Sequence, residues 1–187
     1  MKMTEQEGVA LALACGAHHA AALPPEKRVL DAMFRDLCAN NACGRYGKCY
    51  MCPPDVGDIH ALMREIQRYD HAVLFQTIQP LEDSFDFEGM QAASALHHRI
   101  SRDVRQAAST RCTQGMLCLS SGGCGACEKC AKEENLPCRF PQEAMSSLEG
   151  YGVDVYHTAQ NAGLSYINGV NTVTYFGMLL FDRRLQA

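Results

Sequence analysis

No apolar run in the chain approaches the roughly 20 residues needed to cross a bilayer, so a membrane-spanning helix is excluded. The glycine-rich G-x-G-x-x-G turn and the G-x-x-x-x-G-K-[ST] loop are both missing, and with them the usual dinucleotide and nucleoside-triphosphate cradles. Basic residues come as scattered pairs such as Arg183-Arg184 rather than as a patch interleaved with aromatics. With a net charge of −4, this argues against a nucleic-acid backbone as partner. The histidines (His18-His19, His97-His98, His60, His71 and His157) never take the i, i+4 spacing of a helical metal pair and read as surface or cap residues. Internal repeats and low-complexity tracts are absent too. Glu5 and Glu7 stand where a secretory signal would carry positive charge, so the expected compartment is the cytoplasm.

Cysteine is what the chain has in quantity: eleven, in 187 residues that are 47% apolar and 20% charged. That length suits one domain over residues 1–187. A reducing compartment makes clustered cysteines metal ligands more readily than disulfides.

Thr4 and Glu7 have capping-box spacing for a first helix with Val9, Ala12 and Leu13 on one face and Gly16 at its end. Residues 17–31 read as two short extended pieces about Pro24-Pro25. The stretch LCANNACGRYGKCYMCPPDVG has no apolar period and reads as an irregular loop. Asp58 caps a helix through Ile59, Leu62, Met63, Ile66 and Tyr69, which leads into the strand HAVLFQTI. The longest helical period runs from Phe87 through Met90, Ala93, Leu96, Ile100 and Val104 to Ala107. A strand, TQGMLCL, enters a second loop, SSGGCGACEKCAKEENLPCRFP. A helix from Asp154 to Ala162, with Gly163 as its cap, precedes two strands, SYINGV and VTYFGMLLF. The expected architecture is α+β, a mixed sheet flanked by helices, with both cysteine loops at one end.

The second loop spaces its cysteines Cys124-x2-Cys127-x2-Cys130-x7-Cys138. A triplet at x2 spacing can present three sulfurs to three corners of a cubane, and the return of the chain brings Cys138 as the fourth. A lone zinc more often takes two CxxC pairs from separate turns, so a [4Fe-4S] cluster is the better match. In the bacterial ferredoxin pattern the fourth interval is x3 and its cysteine serves the other cluster, so an exchange of fourth ligands stays open. Gly122, Gly123 and Gly125 let backbone N–H groups approach a cluster. Lys129, Lys132 and Arg139 can offset its charge, or are ordinary solvated cations.

The first loop offers Cys38-x4-Cys43-x5-Cys49-x2-Cys52 followed by Pro53-Pro54, a second candidate metal loop of open type, cluster or zinc. Cys15 and Cys118 read as small buried hydrophobes, and Cys112 as the same or a spare ligand. Glu149 and Asp154 resemble a carboxylate pair but are explained more simply by capping and solvation.

Taken together, CGRYGKCYMCPP, CGACEKC, PCRFPQEA, SLEGYGVDV, HTAQNAGL and YFGMLLF resemble the predicted metal-binding proteins grouped as domain of unknown function 2284. The resemblance covers nearly the whole chain. It implies metal ligation by Cys38, Cys43 and Cys52 and by Cys124, Cys127, Cys130 and Cys138. Cys49 lies outside that pattern, and Met145-Ser146-Ser147 departs from it without touching a candidate ligand.

Three functions are compatible with these residues. The first is a carrier of single electrons, with one [4Fe-4S] cluster or two, serving a redox partner protein. The second is a structural or interaction module stabilised by zinc. The third is an enzyme whose first-loop cluster has three protein thiolates and an open iron for substrate or a further cofactor.

Overall fold

A computed structural model describes residues 3–112 and 115–183. Helix α1, Glu5–Ala14, begins where Thr4 and Glu7 exchange the hydrogen bonds of a capping box, and the chain leaves it through Gly16 at φ +106°. Strand β1, His19–Ala22, ends before the two prolines, and a 3₁₀ turn at Pro25–Lys27 stands where a second extended piece was expected. Helix α2, Met33–Ala39, was also not anticipated, and it places Cys38 in a helical last turn rather than in loop. Its short, half-exposed run shows no stripe to read.

Helix α3, Ile59–Gln67, is capped by Asp58 as expected and feeds β2, Tyr69–Pro80. Helix α4, Phe87–Ser109, is capped by Asp86. Strand β3 is Met116–Leu119; Thr113 and Gln114, the start of the expected strand, lie outside the described residues. Helix α5, Val155–Asn161, is capped by Asp154, and β4, Thr172–Arg183, closes the fold. The expected strand SYINGV is irregular. Asn168 donates to the Ser165 carbonyl and to Thr174 Oγ1, Thr172 Oγ1 donates to the Gly169 carbonyl, and these local bonds replace a ladder.

The four strands lie in the order β1-β2-β4-β3, and every ladder is antiparallel. The α+β class is as expected, but the sheet is antiparallel rather than mixed. Strands β2 and β3, joined through α4, do run the same way; β4 inserts between them, so the parallel pair never meets. Val73, Phe75, Leu179 and Phe181 face α1 and α4, where they meet Leu11, Ile100 and Val104. Ala72, Leu74, Met178 and Leu180 face α3 and α5, where they meet Leu62, Ile66 and Ala159. Burial on both faces is why the central strands read as continuous apolar runs. The buried Arg28 ties the end of α3 to the sheet by donating to the carbonyls of Leu23, Ile66 and Tyr69. Among the described residues no helix is long and apolar enough to cross a membrane.

Both histidines of the pair on α4 are buried, against the surface reading. His97 Nε2 donates to the Phe176 carbonyl at 3.0 Å, which leaves Nδ1 to accept from Thr77 Oγ1 at 2.9 Å. Burial, then His98, lowers the His97 pKa from 6.5 to about 3. The folded state therefore resists a proton that the unfolded chain takes up. The contribution of the neutral ring is fully present above pH 6.5 and is lost as pH falls toward 3. Urea unfolding between pH 7 and 4 should lose about 1.4 kcal/mol per pH unit below 6.5. His97→Gln should flatten that slope to the smaller part due to His98, whose pKa is lowered by burial, Arg102 and Arg45.

Candidate metal centre

The first loop leaves α2 through a series of left-handed turns at Asn41, Gly44 and Gly47, with φ values of 51°, 69° and 68°. Tyr46 N–H donates to Asn41 Oδ1, and Gly47 N–H donates to the Pro53 carbonyl at 2.9 Å, closing the loop on itself. Cys52 N–H donates to the Cys49 carbonyl at 3.0 Å, so the two cysteines stand at the ends of one tight turn.

The second loop is pinned at its base. Ser120 N–H donates to the Ser146 carbonyl and Leu148 N–H donates to that of Ser120, alongside a parallel bridge between Ser120 and Ser147. Between these anchors, Gly122 and Gly125 take φ values of 60° and 65°. Gly125 lies flat on the ring of His98, which a Cβ there would meet at 3.0 Å. Gly125→Ala should therefore lift the loop off α4 and weaken metal retention, because both the positive φ and the close ring oppose it. Metal analysis after overnight dialysis, beside that of Gly44→Ala, whose added Cβ meets nothing within 4 Å, would check this.

The two loops meet at one end of the sheet. Tyr50 Oη donates to the Leu136 carbonyl at 3.0 Å, and Lys132 pairs with Asp55 across the gap. Arg139 holds Glu134 and donates to the Lys129 carbonyl. The second-loop cations are thus engaged with acidic residues and carbonyls of the loops themselves.

Cys49, Cys52 and Cys130 form a buried cluster of their own, with Cys124, Tyr50 and Met51 packed against it. Cys49 shares thiol hydrogen bonds with Cys124 and Cys52. Those bonds lower the Cys49 thiol, whereas the same bonds and burial raise those of Cys52 and Cys124. The three sulfurs from two loops are thus electrostatically coupled, and a bound cation would stabilise them as thiolates. A space of about 20 Å³ is bounded by Cys49, Cys124, Cys127, Cys130 and Cys138. Beside it opens a cavity of about 270 Å³ edged by Cys38, Cys43 and Cys52 together with Phe34, Glu149 and the backbone of Gly122-Gly123. Arg45 borders both.

All eight candidate cysteines therefore come to one end of the molecule, though not in the grouping of the loops. As placed, no group of three or more His, Cys, Asp or Glu among the described residues is arranged to hold a metal ion, and thiol-to-thiol contacts occupy that position instead. The donor chemistry fits a thiophilic metal or cluster: soft sulfur ligands from two loops, buried together.

Cys118 is buried in β3 as expected, whereas Cys15 is only partly buried, packed against the core that α4 lines. Cys112 packs in that same core, where burial, then Asp182, raises its thiol to about 11. Asp154 caps α5 and pairs with His157. Glu149 lies apart from Asp154: it is half-buried in the cavity wall, and its removal from water there raises its carboxyl pKa. Arg45 escaped the sequence reading, while Glu149 and His98 were expected to be solvated or surface residues and instead lie in the cavity wall and under the second loop, placements set by contacts far away in sequence.

The family model described as predicted metal-binding protein (DUF2284) matches residues 21–181, which include every candidate cysteine ligand. No curated protein and no solved structure matches the chain significantly.

Proposed function

Because the chain belongs to this family of predicted metal-binding proteins, we propose that it is an iron-sulfur protein that passes single electrons to or from a partner protein. The observation that carries this reading is the shared space in which Cys49 of the first loop joins Cys124, Cys127, Cys130 and Cys138 of the second. Cys124, Cys127 and Cys130 would hold three irons of a [4Fe-4S] cluster, with the fourth thiolate drawn from Cys138 or Cys49. Such a cluster supplies reversible one-electron exchange. The residues around it set the conditions for that exchange. Burial of Cys49 and Cys130 excludes water, and the backbone turn at Gly125 keeps the chain close to the sulfurs. Leu136 and Phe140, 51% and 41% exposed beside the cysteines, offer a redox partner protein an apolar contact. Nucleic acid and membrane are not among the partners proposed.

The size of the space, about that of one water molecule, favours a second reading. A single zinc needs less room than a cluster and would act there as a structural staple. Anaerobic purification separates the two. A brown protein with iron and acid-labile sulfide, and an EPR signal on reduction, supports the cluster. A colourless protein carrying stoichiometric zinc overturns it in favour of the staple.

A further inference from the structure

The large apolar side chains most open to solvent gather at one place. Among the described residues they are Phe85, Phe87, Ile167 and Val170, each 72–91% exposed. All four stand beside the Pro80–Thr172 end of the central strand pair, in the segment that runs from β2 into α4 and in the one that runs from α5 into β4. Hydrogen bonds join these two segments into one tip. Leu81 N–H donates to the Asn171 carbonyl at 2.8 Å, Asn171 Nδ2 donates to the Glu82 carbonyl at 3.2 Å, and Tyr175 Oη donates to the Met90 carbonyl at 3.1 Å. Single exposed apolar residues are ordinary on a protein surface, but four of them on one braced tip form a patch that marks an interaction site.

We propose that this tip is a docking surface for a partner protein whose contact face is an apolar recess ringed by lysine or arginine. The inference goes beyond the redox reading, since it needs no metal and uses a surface other than Leu136 and Phe140.

Charge decides the occupant. Glu82, Asp83, Asp86 and Glu88 flank the two phenylalanines, and the sequence has no Lys or Arg from 69 to 98 or from 140 to 182. The segments that build the tip therefore bring negative charge and no positive charge of their own. A basic rim on the partner supplies the counter-charge, which speeds encounter and fixes orientation, while the apolar side chains supply the affinity. A second copy that pressed the same tip against this one would set acid against acid, and the anionic surface of a membrane would be repelled by the same groups. The tip is also held in shape before any contact: Asp83 Oδ1 accepts from Phe85 N–H, Asp86 Oδ2 accepts from Glu82 N–H, and Asn168 bonds to Ser165 and Thr174. Docking then costs little in ordering.

Fluorescence anisotropy on the full chain tests this with a labelled amphipathic helical peptide of leucine and lysine, beside a leucine–glutamate peptide of the same pattern. The lysine peptide should bind the wild type, and the double change Phe85→Ser/Val170→Ser should weaken it by about tenfold or more. Glu82→Lys/Glu88→Lys should weaken it in low salt and have little effect in high salt, where charge is screened. Leu13→Ser, which removes an exposed apolar side chain from α1, should leave binding unchanged. The altered side chains are exposed, so thermal unfolding should match the wild type; Val170→Ser alone, in an irregular segment, should give the same reading at smaller size. Equal affinity of the wild type and Phe85→Ser/Val170→Ser, or equal binding of the two peptides, overturns the proposal. So does a wild-type dimer in analytical ultracentrifugation that Phe85→Ser/Val170→Ser disperses, because a second copy is then the occupant. Flotation of the wild type with phosphatidylcholine vesicles, lost in the same variant, overturns it in favour of a lipid surface.

Discussion

Cys124→Ala is expected to lower metal occupancy at the second-loop centre by about tenfold or more while leaving the sheet folded. Cys124 stands where the two loops touch: its thiol meets Cys49, and its backbone lies beside Gly125 on the ring of His98. Removing it takes away a ligand and the contact that joins the loops. The rest of the molecule does not depend on that contact. The two main hydrophobic clusters are built from the sheet, α1, α3, α4, α5 and the segment around Leu148, and the cysteine cluster is separate from both. Far-UV circular dichroism should therefore match the wild type, while limited proteolysis should cut within residues 38–54 or 121–145. Cooperative loss of the whole fold would show instead that the metal stabilises the core, as in small zinc domains, and would overturn this division of labour.

Gly177→Ala should produce the largest loss of stability among conservative changes. Gly177 pairs with Phe75 across β2 and β4, and a Cβ at 177 would lie 2.3 Å from the Phe75 ring. Phe75 is fully buried between α4 and the sheet and stacks near His97, so the ring has no solvent direction in which to yield. Overpacking of that kind costs about 3 kcal/mol. For a chain of this length the melting temperature should fall by about 6–12 °C. The cause is local, so Phe75→Leu in the same chain should recover much of the loss, although Phe75→Leu alone destabilises by leaving a cavity. A double-mutant cycle by thermal or urea unfolding reads this directly. Simple additivity would mean that the steric account is wrong.

Much of the fold was legible because its signals are local. The capping box of Thr4 and Glu7, the caps at Asp58 and Asp154, and the long period on α4 each depend on neighbours within a turn or two, and each is found where expected. SYINGV failed for the same reason in reverse: its β-forming residues lose to the bonds that the Asn168 side chain donates to the Ser165 carbonyl and Thr174 Oγ1 and that Thr172 Oγ1, just beyond, donates to the Gly169 carbonyl. Helix α2 was hidden because seven half-exposed residues carry too few turns for a stripe to repeat.

Sequence alone determined the candidate ligands and the chemistry open to them, since the spacing of Cys124, Cys127 and Cys130 and the soft-donor chemistry of clustered thiols need no coordinates. Tertiary structure decided how those cysteines are grouped. Cys49 and Cys124 are brought into contact by strand order, by α4 beneath Gly125 and by the anchors at Ser120 and Leu148. None of these is encoded within either loop. A sulfur's partners depend on distance through space, and in this chain the contacts that set those distances join residues many tens of positions apart.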